Sequence, residues 1–253
     1  GNAATRSITG FGFKPDLVWI KMRGGTSNHA LYDSMRGAGY MITSVDNRAQ
    51  SGLQTIALTG FAADGWTSGN EADVNSSANY FISWGWKAGG VPSANNKRRT
   101  NDSSSETTLS SSDTPSADQY TSTRGPTAFQ QSVNSVGGFS ITKYTAAAPN
   151  SGDTIKLPHG LDGTPAFVII KYLGGAGQWA VWHQSLSNTA QGHLFLETNA
   201  AVANLATVWG NTAPNSTHMH VGYMGETYWS GREYIMYAWK DVAGVSHFGT
   251  YEG

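Results

Sequence analysis

The sequence predicts an all-β fold built from two tandem antiparallel β-sandwiches. Of the 253 residues, 31 are glycine and 11% are aromatic, a composition typical of many short strands joined by turns. No segment shows a sustained helical period, and the chain repeats itself. Because there is no cysteine, burial of side chains has to stabilise the fold without disulfides.

The repeat consists of two aligned blocks in the same order. Residues 10–33 align without gaps to 160–183 at an offset of 150, and residues 79–87 align to 232–240 at an offset of 153. We therefore predict a first sandwich over 1–90 and a second over 137–253.

The stretch between them, 91–136, is rich in Ser, Thr and Asn and nearly free of aliphatic residues. Such a segment buries little apolar surface to offset its ordering entropy. It is predicted to be a linker or a surface arm.

Individual strands follow from the apolar pattern. Residues 16–22 and 166–172 are near-continuous apolar runs, and each is followed by a glycine-containing turn and a second strand (29–33 and 178–183), which predicts two hairpins. Further strands are expected at 40–45, 53–59, 64–68, 137–145, 192–197, 205–209, 217–222 and 244–251.

A stripe of aromatic residues marks the strand at 79–87. Trp84 and Trp86 point to one face, and the aligned strand carries Tyr237 and Trp239 at the same positions. A feature present in both copies is most simply a requirement of the fold, so core packing is favoured over an exposed platform for a sugar ring.

Charge and hydropathy limit the partners. The formal net charge is −1, and the basic cluster Lys97-Arg98-Arg99 stands alone, so no nucleic-acid partner is expected. No apolar run approaches the length of a membrane span, so no membrane insertion is expected.

No catalytic motif is recognisable, and the chain is predicted to be neither an enzyme nor a cofactor-binding protein. Glu71 and Asp73 fit solvated loop acids, and Asp33 with Arg36 fits a local pair in a turn. His218 and His220 could form half of a metal site, with a third ligand from His183, His193 or His247, but surface or packing roles are favoured.

The two copies differ most in the loop before the final strand. At an offset of 153, Asn75 and Ser76 of the first copy become Tyr228 and Trp229 of the second. A shared fold does not explain this gain, so Tyr228 and Trp229 are candidate ligand or interface residues, together with Trp209 and Trp182. Sugar stacking, a subunit interface and local packing remain alternatives.

Several motifs resemble a known family. They are "GFKPDLVWIK", "HALYDSMRGAG" and "YFISWGWKAGG" in the first half, and "HGLDGTPAFVIIK", "WAVWHQSL", "VWGNTAP" and "YIMYAWKDVAGVSHFGTYEG" in the second. This set resembles an uncharacterised domain family of tail-fibre and virion structural proteins of marine phages and cyanophages. In that family a cysteine often stands at the position of Gly85, so the resemblance carries no thiol chemistry to this chain.

The resemblance implies that both sandwiches are concanavalin-like or lectin-like and belong to a non-enzymatic virion protein: a tail fibre, spike or other surface appendage outside the cell. Its expected partners are other copies of itself, as in a trimer, other virion proteins and a host-surface glycan. The alternatives are a lectin-like carbohydrate-binding module and, less favoured, a polysaccharide-degrading enzyme.

The ends of the chain carry a last expectation. Gly1 and Gly253 are expected to lie at repeat junctions, which would leave a sheet edge of the first sandwich unpaired. The predicted final strand, 245–251, is the candidate to fill that edge, within the chain or from a neighbouring copy.

Overall fold

Almost all regular structure in the chain is β-strand, which confirms the predicted fold class. The computed structural model describes residues 1–101, 105–110, 113 and 124–253. The elements are β1 (Arg6–Thr9), β2 (Leu17–Met22), β3 (Ala30–Asp33), β4 (Leu58–Ala62), β5 (Gly65–Ser68), the one-turn helix α1 (Ala72–Asn75), β6 (Phe81–Trp86), β7 (Lys97–Thr100), β8 (Glu106–Thr108), β9 (Ala128–Asn134), β10 (Phe139–Thr145), β11 (Thr154–Pro158), β12 (Phe167–Tyr172), β13 (Ala180–His183), β14 (Gly192–Phe195), β15 (Ala203–Asn204), β16 (His218–Gly222) and β17 (Glu233–Trp239).

Strands β1–β6 form repeat 1, a small sandwich of two three-stranded sheets ordered β3-β2-β6 and β1-β5-β4. Alternation along β2 sends Val18 and Ile20 to the inside, where they pack with Tyr32, Leu58 and Trp66. All five side chains are buried, so these two sheets enclose one core.

Strands β9–β17 form repeat 2, in which the larger sheet also includes β7 and β8. Its nine strands run in the order β15-β14-β13-β12-β17-β10-β9-β7-β8, and β11 pairs with β16 in a second sheet. Neighbours are antiparallel except β7 and β9, which are parallel. The inner face of the large sheet buries Tyr144, Val168 and Met236 against Leu157 and Val221 of the small one.

The register of the strands shows the duplication residue by residue. Leu17 pairs with Trp86 in repeat 1, and Phe167 pairs with Trp239 in repeat 2, at the offsets of 150 and 153 seen in the sequence. The hairpin pairs Leu17–Asp33 and Phe167–His183 match in the same way. The β1–β5 pair likewise corresponds to β11–β16.

A third core joins the two repeats. Leu17 and Leu31, on the outer face of sheet β3-β2-β6, pack against Ile141, Ile169 and Trp239 on the outer face of the large sheet. Both central sheets are therefore covered on two sides, which explains why β2 and β12 are apolar almost throughout.

Polar contacts also join the repeats at this junction, and the Asp33–Arg36 pair among them is fully buried. The Asp33 Oδ2 atom accepts hydrogen bonds from Arg36 Nε at 2.5 Å and from the Tyr237 hydroxyl at 2.5 Å. Burial lowers the pKa of Arg36, but the carboxylate of Asp33 outweighs this and raises it overall. The Trp179 indole also donates to the carbonyl of Asp46 at 3.1 Å, so both apolar and polar contacts hold the repeats together.

The structure corrects several sequence expectations. The interval 91–136, expected to be a linker or arm, contains β7, β8 and β9, and β9 pairs with β10 across the expected boundary at 137. Strands with few apolar residues were missed because they form through backbone hydrogen bonds to neighbouring strands. The sequence contains no apolar pattern that indicates them. The remaining residues of that interval, 102–104, 111–112 and 114–123, lie outside the described part.

Three predicted strands are absent, and the strand expected at 53–59 is displaced, because β4 begins only at Leu58. Residues 40–45 form only one bridge, Leu31–Ile42, residues 205–209 form mainly a turn, and residues 244–251 form no strand. In the last segment Val245 is 69% and Tyr251 94% exposed, so the expectation that it fills an open edge within the chain is wrong. Pairing of this segment with a neighbouring copy stays a prediction.

Candidate binding surfaces

The clearest exposed aromatic feature of repeat 2 is a cluster formed by Tyr172, Tyr223, Trp229 and Arg232, here called the Trp229 cluster. The rings of Tyr223 and Trp229 are stacked, with centroids 4.6 Å apart and planes 15° apart. The Arg232 guanidinium lies 4.5 Å from the Tyr172 ring centroid and 5.7 Å from that of Trp229. Trp229 remains 40% exposed, so part of this ring faces solvent.

The backbone of the loop fixes this arrangement. Tyr228 N–H donates to the Met224 carbonyl at 2.7 Å, and Arg232 N–H donates to the Trp229 carbonyl at 3.0 Å. The Arg232 side chain donates to the Gly225 carbonyl at 3.0 Å. A preformed aromatic surface of this kind loses little entropy when a ring or a chain packs on it.

Repeat 1 has no equivalent of the Trp229 cluster. The positions aligned with Tyr172, Tyr223, Trp229 and Arg232 are Met22, Asn70, Ser76 and Asn79. The contrast between copies could locate Trp229 in the sequence. Tyr172 and Arg232 were missed because they lie at or beside the ends of predicted strands. Nothing in the sequence distinguishes them there from other strand residues.

The other aromatic candidates belong to the core. Tyr228 and Trp209 are fully buried and Trp182 is 2% exposed. The Tyr228 hydroxyl donates to the Arg124 carbonyl at 2.7 Å, and the indoles of Trp209 and Trp182 donate to the carbonyls of Gly192 and Thr189. Because each polar atom has an internal partner, these three residues are packing residues and not part of a binding surface.

The two histidines considered as metal ligands, His218 and His220, have contacts within the protein. His220 is buried, and its Nδ1 atom lies 2.9 Å from the Ala213 carbonyl. His218 Nδ1 contacts the Thr217 hydroxyl at 2.8 Å. Across the described residues, no group of three or more His, Asp or Glu side chains is positioned to hold a metal ion.

The acidic pair of the first copy has a local structural role. Glu71 is the N-cap of α1, and its carboxylate accepts a hydrogen bond from Asp73 N–H at 2.8 Å. Burial raises the pKa of Glu71.

Within the described part of the chain, no helix is long and apolar enough to span a membrane.

The aromatic stripe of β6 divides into a packed end and an exposed end. Trp86 lies against Trp239, with ring centroids 5.7 Å apart, inside the junction between the repeats. Two positions away Trp84 is 43% exposed, and Ile82 is 42% exposed. Core packing therefore describes Trp86 and Trp239, whereas Trp84 and Ile82 form a second apolar surface beside the edge of repeat 1.

Comparisons with known proteins agree with the duplication. One family model, a domain of unknown function (DUF7483), matches the chain twice, over residues 1–122 and over residues 101–253. Comparison with curated proteins and with solved structures found no match. The two matches together span the chain, which therefore belongs to the DUF7483 family and carries its domain as an internal repeat.

Proposed function

We propose that the chain is a non-enzymatic structural protein of a virion surface appendage, such as a tail fibre or spike, that assembles with copies of itself and with other virion proteins. The junction between the repeats is the observation that supports this proposal most. Its apolar core and the enclosed Asp33–Arg36–Tyr237 contacts join two sandwiches into one stiff unit. A stiff repeated unit suits an element that transmits force or position along a fibre.

The experiment is to locate the chain in particles. Antibodies against the purified protein, carrying gold labels, are applied to purified particles of the virus that encodes the chain and viewed by electron microscopy. The proposal expects label at an external appendage. Label that stays in the particle-free fraction, with none on virions, would reject the virion assignment.

Carbohydrate binding is a second candidate, because the Trp229 cluster presents a 40% exposed indole on a fixed support. Exposed aromatic rings stack on the apolar faces of sugars. The protein is screened on a glycan array as the parent, as Trp229→Ala and as Trp84→Ala. Trp84 is the matched control, because it is exposed to a similar degree on the other repeat.

This second function expects a glycan signal that Trp229→Ala abolishes and Trp84→Ala retains. Absence of any signal, or equal loss in both variants, would reject the Trp229 cluster as a sugar site. Neither result depends on where the chain lies in a particle, so the two candidate functions are tested separately.

A further inference from the structure

The Trp229 cluster combines aromatic rings with a cation that has no counter-charge within the described part of the chain. The Arg232 guanidinium lies over the Tyr172 ring and close to Trp229, at 4.5 Å and 5.7 Å from the two ring centroids. Among the described residues it forms no ion pair with a carboxylate. The adjacent Glu233 pairs instead with Lys143, with 3.0 Å between Oε1 and Nζ. The positive charge of Arg232 is therefore available to a bound group.

Contacts with the loop hold the guanidinium and still leave donors for a ligand. Arg232 Nη1 donates to the Gly225 carbonyl at 3.0 Å, and the Tyr234 hydroxyl donates to the same carbonyl at 2.9 Å. A guanidinium carries five N–H groups, so these contacts do not exhaust it. Two parallel N–H groups on one edge of a guanidinium match the two oxygens of a carboxylate.

Trp229 supplies a surface for the rest of a ligand. Its ring is stacked on that of Tyr223, and its side chain is 40% exposed. The 5.7 Å between the Trp229 ring centroid and the guanidinium carbon of Arg232 is comparable to the width of a sugar ring. A carboxylate on the rim of a ring that packs on Trp229 is therefore within reach of Arg232. Apolar contact combined with a few fixed polar groups is typical of binding sites for small ligands.

The other repeat shows that the fold does not require this cluster. Lys171 donates to the Gly177 carbonyl at 2.9 Å, and the corresponding Lys21 donates to the Ser27 carbonyl at 2.8 Å, so this position serves the hairpin turn in both repeats. The next position in each strand and the three other members of the cluster differ between the repeats. Side chains that contact one another in repeat 2 and are all replaced in repeat 1 indicate a ligand, because the shared fold forms without them.

We propose that the Trp229 cluster binds an acidic sugar, a uronic or sialic acid residue of a glycan, through its carboxylate. The carboxylate accepts hydrogen bonds from the open N–H groups of Arg232, and the sugar ring packs on Trp229. The inference rests on the carbohydrate-binding candidate function and adds to it the class of sugar.

Negative charge beside the site limits how much anionic charge a ligand can carry. Burial raises the pKa of Tyr234, the charge of Arg232 opposes this shift, and Glu226 adds to it, so both charges act at the same place. Glu226 makes no ion pair with Arg232. An anionic group that is not hydrogen-bonded to Arg232 is therefore repelled, which favours a single carboxylate over a polysulfated chain.

The test is a glycan array that carries oligosaccharides of galacturonic, glucuronic and sialic acid. Each is printed beside its carboxyl-reduced counterpart, in which a primary alcohol replaces the carboxylate, and sulfated oligosaccharides without carboxylates are included. The proposal expects the parent to bind at least one acidic glycan and to bind its reduced counterpart at least tenfold more weakly. Arg232→Gln is expected to weaken binding of the acidic glycan by a similar factor.

Two further variants separate a local effect from general electrostatics. Arg23→Gln removes one positive charge from an exposed position of repeat 1 and is expected to bind like the parent. Arg232→Lys keeps the charge and is expected to recover part of the binding that Arg232→Gln loses. Melting temperatures show that each variant is folded. Titration of the parent with the acidic oligosaccharides of the array, followed by NMR, is expected to shift the Nε–H resonance of Arg232 without any substitution.

The outcomes distinguish this inference from the function on which it rests. Equal signals on acidic glycans and their reduced counterparts, abolished by Trp229→Ala but kept by Arg232→Gln, would overturn the inference and leave carbohydrate binding in place. Stronger binding to sulfated than to carboxylated glycans would also overturn it. Absence of signal on every glycan would reject carbohydrate binding itself, and this inference with it.

Discussion

Asp33 is a carboxylate held without solvent contact at the junction of the two repeats. Its side chain is 0% exposed and that of its partner Arg36 is 1% exposed. Replacing one member of a buried ion pair leaves the other charge without compensation, which costs about 3–5 kcal/mol. Asp33→Asn is therefore expected to lower the free energy of unfolding, measured by chemical denaturation, by about that amount.

Asp46→Asn is the control, because its pair with Arg48 is solvent-exposed and such pairs contribute at most about 1 kcal/mol. If Asp33→Asn unfolds at the same denaturant concentration as Asp46→Asn, the enclosed pair does not hold the junction together.

His159 makes stability depend on pH. The ring Nε2 lies 3.0 Å from the Asn215 carbonyl, and Nδ1 accepts from Leu161 N–H at 3.2 Å, an arrangement that suits the neutral ring. Burial lowers the pKa of His159 to about 4. As pH falls from about 6.5, the unfolded chain takes up a proton that the folded chain refuses, so stability falls until about pH 4.

The expected loss is about 3 kcal/mol, since each unit of pKa shift corresponds to about 1.4 kcal/mol. His159→Gln keeps one donor and one acceptor but does not titrate, so it is expected to lose that much less stability than the parent between pH 7 and pH 4. Equal losses in the two proteins would show that His159 is not responsible.

At the scale of single strands, β6 and β17 are aligned in sequence, but they bury their tryptophan side chains at the junction to different degrees. Trp239 is 5% exposed, whereas Trp86 is half-buried. Trp239→Ala is expected to cost about 3–5 kcal/mol, the range for a buried tryptophan, and Trp86→Ala less. Because the rings are in contact, the double variant should cost less than the sum of the two.

Thermal and denaturant unfolding of the three variants test this ordering. Additive losses would contradict the contact between Trp86 and Trp239. A Trp86→Ala variant that melts like the parent but loses a ligand would instead restore the platform interpretation for this stripe.

The strands that the sequence could predict are those with at least one apolar face. β2, β3, β12, β13 and β17 were expected at their observed places because their apolar runs and glycine turns are local signals. β7 and β8 could not be expected, because strands such as Lys97–Thr100 have no apolar face and form only where a neighbour offers backbone partners.

At the scale of the whole molecule, the duplication could be predicted because the two halves align residue by residue in the sequence. The packing of the two repeats against each other could not be predicted. Nothing in the pattern of β2 says whether Leu17 packs within its own sandwich or against the other repeat. The exposed aromatic cluster around Trp229 was predicted in part. Trp229 was predicted from the difference between the two copies, and it is exposed. Tyr228 and Trp209 were predicted as well, but both side chains are buried in the core.

The central claim is that the pairing of β2, β3 and β6 in repeat 1 matches that of β12, β13 and β17 in repeat 2, and that β17 has a further strand, β10, on its other side whereas β6 has none among the described residues. Amide hydrogen exchange tests it residue against residue, because both repeats contain the same strand. The amides of Tyr234, Met236 and Ala238 face β10, whereas those of Phe81, Ser83 and Gly85 point away from β2, to a side where no strand of the described residues lies.

Exchange of these six amides in the native protein, followed by NMR, is the most direct measurement. The amides of Ile82 and Trp84, which face β2, serve as protected controls within repeat 1. The account predicts that Phe81, Ser83 and Gly85 exchange at least a hundredfold faster than their counterparts Tyr234, Met236 and Ala238. Equal protection of the two sets would contradict it, because the outward amides of β6 would then be hydrogen-bonded like those of β17.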